Sequence, residues 1–151
     1  MSSTQDIYTT KFQSIPENIS KVEPFLEDVN RQLGLNEVDF HKLIVATTEA
    51  VNNAIIHGNQ SNPEKNVTVK VVIKKNYLVV SVCDEGDGFS PSDIPNPLEE
   101  ENLLKESGRG LFLMETLMEE VEIKTRDVGC EVRMSMYIGP KSGLKDEKEH
   151  P

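Results

Sequence analysis

Residues 48–58 read TEAVNNAIIHG, a largely apolar run interrupted by one carboxylate and two amides. Glu49 and Asn53 stand four apart, so on a helix their side chains leave the same face, one turn from each other. By helical-wheel geometry that face lies roughly opposite the stripe of Phe40, Leu43, Ile44 and Val51, so Glu49 has no place in the core that stripe builds. A solvated polar face would account for an isolated Glu–Asn pair. Here Ala50, Val51, Ala54, Ile55 and Ile56 make the helix apolar over much of its circumference. A helix of that kind is buried, and its few polar groups need partners. An amide oxygen beside a carboxylate suits the holding of Mg²⁺ and the polarising of a hydroxyl or a water.

Outward from this segment the pattern is α+β. On the N-terminal side, Asn36 offers an N-cap to the helix, which is expected to run to about Gly58. Gly34 stops an earlier helix whose apolar series is Val22, Phe25, Leu26, Val29 and Leu33, and residues 7–13 form a first strand. On the C-terminal side, NQSNPEKN (59–66) is turn chemistry. Alternation at Val67, Val69, Val71 and Ile73 gives a strand, Asn76 a tight turn, and YLVVSVCD (77–84) a second strand. Residues 85–110 carry four glycines and three prolines and form a connection long enough to imply function. A helix from Leu111 to Met118 and strands at 121–126 and 130–138 complete the pattern. The expected architecture is a two-layer α/β (α+β) sandwich, its mostly antiparallel mixed sheet covered on one face by helices. The domain is expected over 7–139, with a flexible segment at 1–6 and a disordered tail at 140–151.

The 151 residues carry a net charge of −10, which argues against a nucleic-acid backbone as ligand, since phosphate contacts need a basic face. A nucleotide remains compatible, because Mg²⁺ and backbone N–H groups can carry phosphate charge locally. The first ten residues lack a basic and an apolar signal region, and no apolar run is long enough to span a bilayer, so a cytosolic protein is expected. Cys83 and Cys130 lack metal-type spacing and are expected to be buried, reduced thiols.

Two further segments carry chemistry. Asp84 shares the parity of Leu78, Val80 and Val82, which points it to the apolar face of its strand, where a carboxylate needs a donor. Either it caps a turn, or it accepts from an adenine amino group while Gly86 and Gly88 let backbone approach the ring; the segment itself leaves both open. In SGRGLFLM (107–114), Gly108 and Gly110 bracket Arg109 at the start of an apolar helix. A glycine turn into a helix N-terminus presents free N–H groups to phosphate, and Arg109 adds a positive charge. The chain contains no G-x-x-x-x-G-K-[ST] string.

The ordered set of helical E-x-x-x-N, strand-ending D-x-G-x-G, connection and G-x-G helix resembles the nucleotide site of the superfamily that includes gyrase, histidine kinases and MutL (the Bergerat or GHKL fold). More narrowly, TTEAVNNAIIHGN, VCDEGDGFSPSDIPNP and NLLKESGRGLFLMETLMEEV resemble the bacterial anti-sigma factor serine kinases, the RsbW-like group, over residues 8–139. The resemblance implies Glu49 as the base that activates a hydroxyl, Asn53 as the Mg²⁺ ligand, and Asp84 as the selector of adenine with Gly86 and Gly88. It implies phosphate contacts from Gly108, Arg109 and Gly110, and a short lid at 89–107. It further implies ATP-dependent phosphorylation of a serine or threonine on an anti-anti-sigma (STAS) protein, and a homodimer that grips a sigma factor or another signalling protein. Cys130 stands where many relatives carry a threonine that helps bind adenine, and His57 suits a structural role, a place at the pocket edge being the other reading. The alternative is a non-catalytic, ATP-gated module that sequesters a partner; a retained Glu49 favours the kinase, because binding alone needs no base.

Overall fold

The computed structural model describes residues 5–86 and 106–139, with only the backbone of 106–109. Gly88, most of the lid expected at 89–107 and the tail at 140–151 lie outside the described residues. The order is β1 (Gln5–Gln13), a 3-10 turn (Pro16–Lys21), α1 (Val22–Leu33), α2 (Glu37–Asn53) and a π turn (Ala54–Gly58). Then come β2 (Asn66–Lys74), β3 (Tyr77–Cys83), α3 (Glu106–Leu117), β4 (Glu120–Thr125) and β5 (Cys130–Tyr137).

The strands form one sheet in the order β1-β2-β3-β5-β4. Every pairing among the described residues is antiparallel, so the parallel component expected of a mixed sheet is not seen there. β1 begins at Gln5, which pairs with Lys74; Gln5 and Asp6 therefore belong to the sheet and not to a flexible end.

Local chemistry sets the helix limits. Gly34 takes the left-handed conformation (φ 69°) and its N–H donates to Asn30 O at 2.8 Å, closing α1. Asn36 opens α2 by accepting from Asp39 N–H at 2.8 Å. Val22, Leu26, Val29 and Leu33 give α1 its buried stripe, and Leu43, Ala46, Ala50 and Val51 give α2 its own. These side chains meet Val67, Val69 and Val71 of β2, Leu78, Val80 and Val82 of β3, and Met134 and Met136 of β5 in one core. Leu26, Leu43, Ile55, Leu78 and Val80 are fully enclosed, each contributing about 2 kcal/mol by burial.

The opposite face of the sheet is open. Glu131 of β5 lies there between Arg126 and Arg133, at 3.5 and 3.2 Å. Cys83 is on this face too, half-buried, with Arg126 Nη1 donating to its Sγ at 3.4 Å. That corrects the expectation of two core thiols: Cys130 is buried, but β3 sends Cys83 outward with Tyr77, Val79 and Ser81.

Candidate functional site

Three elements meet at one end of the helical layer: the end of α2, the start of α3 and the exit of β3. Glu49 and Asn53 leave α2 on one face, as their spacing predicts. That face is covered by the N-terminal part of α3: a Cβ built on Gly110 would stand 2.9 Å from Glu49 Oε1 and 3.3 Å from Asn53 Nδ2. A side chain added at this position would have to displace the ends of Glu49 and Asn53. Asn53 Oδ1 is buried and has no hydrogen-bond partner among the described residues. A buried, unpaired amide oxygen costs free energy unless something binds it.

Gly108 and Gly110 were expected in a turn ahead of the helix. Instead α3 begins at Glu106, so Gly108, Arg109 and Gly110 all lie within its first two turns. The first four N–H groups of a helix lack an acceptor in that helix, and here they belong to residues 106–109, so the backbone N–H of Gly110 is no longer among them.

α2 does not continue as an α-helix to Gly58. From Ala54 it widens into a π turn, in which Asn59 N–H reaches back to Ala54 O at 2.8 Å. The turn brings Gly58 against Asp84, where a Cβ on Gly58 would lie 2.2 Å from Asp84 Oδ2. A π turn is one of the usual ways to re-aim a helix end at a site.

Asp84 points to the helical side of the sheet, as its parity requires. Its Oδ1 accepts from Gly86 N–H at 3.0 Å and from Cys130 N–H at 3.1 Å. Its own N–H donates to Cys130 O at 3.0 Å. No hydrogen bond reaches Oδ2 among the described residues, so this oxygen is left to take a further donor. Burial raises the Asp84 carboxyl above its ordinary value, against the lowering effect of the Gly86 and Cys130 N–H bonds and of Lys65.

Three glycines enclose this carboxylate. Besides Gly58, a Cβ on Gly86 would fall 2.0 Å from Gly58 O, and one on Gly129 would fall 1.9 Å from Asp84 O. Gly129 also has φ +81°, a conformation that L side chains rarely take. Cys130 supplies its backbone N–H, which does not depend on its side chain; burial pushes its thiol up to about 11, so it stays protonated. His57 is exposed, not the structural histidine expected.

One open groove, of about 780 Å³, runs along the other face of the sheet among Lys70, Glu122, Glu131 and Arg133. It touches Asp84 and Glu85 at one end only. Asp84 Oδ2 and Asn53 Oδ1, which have no hydrogen-bond partner among the described residues, both lie on the helical side, and this is the candidate site.

The model for the histidine kinase-like ATPase domain matches residues 12–136 of this sequence. The chain belongs to that family. Within the histidine kinase-like ATPases it falls in the RsbW-like group. It is 32% identical to the serine-protein kinase RsbW of Bacillus velezensis, over 91% of this chain and 89% of that protein. To the serine-protein kinase RsbW of Bacillus subtilis it is 30% identical, with the same coverages. To the anti-sigma F factor of Bacillus cytotoxicus it is 29% identical, over 89% of this chain and 94% of that protein. Among solved structures, the RsbU and RsbW domains of Rv1364c from Mycobacterium tuberculosis superpose with a TM-score of 0.66 at 17% identity. That match covers 88% of this chain and 32% of the other, and supports the fold alone.

In this histidine kinase-like ATPase domain the structure brings together Glu49, Asn53 and Gly110 in one place and Asp84 and Gly86 in another, joined by the π turn. Gly58 and Gly129 were not foreseen as site residues. The sequence signal for Gly129 was a glycine directly before a strand, for which a tight turn is the commonplace explanation. No helix among the described residues is long and apolar enough to cross a membrane.

Proposed function

We propose that this chain binds Mg·ATP between α2, α3 and the β3 exit and transfers the terminal phosphoryl group to a serine or threonine of an anti-anti-sigma (STAS) protein. The unmodified STAS protein would compete with a sigma factor, or another signalling protein, for a cytoplasmic homodimer of this chain. The observation that carries the reading is the buried Oδ1 of Asn53, without a partner among the described residues, one helical turn from Glu49 and packed under Gly110.

An amide oxygen is a hard donor that suits Mg²⁺, an ion that takes few protein ligands and completes its shell with water and phosphate oxygens. Asn53 would hold the ion, whose chemistry when bound is to neutralise charge on the phosphates. The N–H groups of the first turn of α3 would hold phosphate oxygens. Asp84 Oδ2 would accept from the adenine amino group, fixing the nucleotide at its far end. Glu49 would take the proton of the attacking hydroxyl as its oxygen bonds to the terminal phosphorus, while the bond from that phosphorus to the bridging oxygen breaks and ADP leaves. In such a transfer positioning and charge supply most of the rate, so this small set of groups is sufficient.

The test is incubation of the chain with labelled ATP and the STAS protein encoded nearest to it. The expected result is a labelled serine or threonine. Glu49→Ala should keep ATP affinity and lower transfer by about 10²–10⁴-fold, the usual weight of a general base. Normal transfer by Glu49→Ala would remove Glu49 from the role. ATP binding without transfer in the unmodified chain would favour the sequestering module instead.

A further inference from the structure

Behind Asp84 lies a buried polar cluster that the chemistry above does not use. Asn59 is the first residue after the π turn, and it is 2% exposed. Its Nδ2 donates to Ser14 Oγ, just beyond β1, and to Asn66 O at 3.0 Å, at the start of β2. Its Oδ1 accepts from Glu85 N–H at 2.7 Å. Glu85 closes the loop, for its Oε1 accepts from Asn66 N–H at 2.9 Å. The peptide immediately after Asp84 is thus held on both sides, by the Asn59 amide and by a strut to β2.

This placement matters because Asp84 stands where the chain leaves the sheet. Its pairing with Cys130 is the last contact between the two strands there, and Gly86 has no ladder partner. A residue that selects a base through one oxygen must be held to about 0.5 Å, and the bonds of Asp84 to Gly86 and Cys130 do not reach the peptide N–H of Glu85. The Asn59–Glu85 bond fixes it, and it does so from the residue adjoining Gly58, whose backbone walls the same carboxylate. The helix end and the base-selecting turn are therefore registered to each other by one side chain.

We infer that Asn59 is a positioning residue for base selection: through Glu85 it sets where Asp84 Oδ2 points, and so determines the preference for adenine over other bases. The inference rests on the Mg·ATP reading of the site and deepens it. A merely structural Asn59 would, on substitution, lower stability and leave base preference alone.

The experiment measures ATP and GTP binding by calorimetry, and the urea midpoint, for the full chain and for Asn59→Ala, Asn59→Asp and Asp84→Asn. The unmodified chain is expected to prefer ATP. Asn59→Ala should narrow that preference at least about fivefold, the lower end for loss of a buried hydrogen bond that leaves its partner unsatisfied. Asn59→Asp keeps the oxygen that Glu85 N–H needs but turns a second oxygen on Asn66 O; it should be less stable yet keep the preference within about threefold of the unmodified chain. Asn59→Ala that folds and keeps the full preference would overturn the inference. So would Asn59→Asp that loses it. If Asn59→Ala does not fold, Asn59→Asp decides by the same criterion. A chain with no preference for ATP, or an unchanged preference in Asp84→Asn, would instead bring down the site reading itself and the inference with it.

Discussion

Gly129→Ala is expected to damage both the fold and the site, and Gly34→Ala separates the causes. Both glycines have positive φ, +81° and +69°, so alanine at either meets the same backbone penalty, about 1–2 kcal/mol. At Gly34 nothing lies within 4 Å of the added carbon, and the penalty stands alone. At Gly129 the carbon would sit 1.9 Å from Asp84 O and 2.9 Å from Asp84 Oδ1, and ordinary contact begins near 3.4 Å. The start of β5 must therefore withdraw from Asp84 by about 1.5 Å, the difference between those contacts. That movement breaks the bonds between Cys130 N–H and Asp84 Oδ1 and between Asp84 N–H and Cys130 O. At about 1 kcal/mol each, they bring the loss for Gly129→Ala to roughly 3–4 kcal/mol. With a urea slope of about 2 kcal/mol/M, the midpoint should fall by roughly 1.5–2 M, against about 0.5–1 M for Gly34→Ala. ATP affinity measured by calorimetry should drop at least about tenfold in Gly129→Ala, the worth of one hydrogen bond to a charged group, and stay unchanged in Gly34→Ala. Equal midpoints for the two variants, with ATP binding intact in both, would refute the packing argument.

Other outcomes follow from the same geometry. Asn53→Ala should cost less than about 0.5 kcal/mol in urea, because it deletes a buried oxygen that has no partner among the described residues, while abolishing the gain in ATP affinity that Mg²⁺ gives over EDTA. Gly110→Ala should fold, since the added carbon meets the movable ends of Glu49 and Asn53, but phosphotransfer should fall at least about tenfold as Glu49 is displaced. Burial raises the Asp84 carboxyl, so its protonation begins above the usual aspartate range, and ATP affinity should decline on acidification sooner than for an exposed aspartate. The sign for stability is opposite: a raised carboxyl contributes stability below its unfolded value and loses it as pH rises through the folded one. Asp84→Asn should therefore be at least as stable as the parent at pH 7 while losing adenine preference, read by urea midpoint and calorimetry.

What could be read beforehand was what local periodicity carries. The shared face of Glu49 and Asn53 follows from the helical repeat, and the inward aim of Asp84 from the strand repeat. The cap at Asn36 and the stop at Gly34 are contained within a few residues. The same strand parity sends Cys83 outward, and strand membership alone was too coarse a ground for placing it in the core. The rest depends on partners far along the chain. Gly58, Gly86 and Gly129 act as a group only after β3 pairs with β5 and the π turn closes on Asp84. The π turn itself leaves the apolar pattern of AIIHG unchanged, so no periodicity reports it. Glycine is a poor helix former, which is why Gly108 and Gly110 look like a turn; the place of Gly110 inside α3 goes with its close packing against α2.

The β3–β5 pairing also has a consequence in time. β2–β3 and β4–β5 are neighbours in sequence and can close as local hairpins, whereas β5 must find β3 across the whole segment that includes α3. Contacts of long sequence separation pay their loop entropy before they return anything, and they form late. Asp84 and Cys130 sit on that seam. β1 and β2 form the other long-range pairing of the sheet. A newly made chain should therefore complete the candidate nucleotide pocket only when one of its two distant strand pairings forms, so that binding competence comes late in folding.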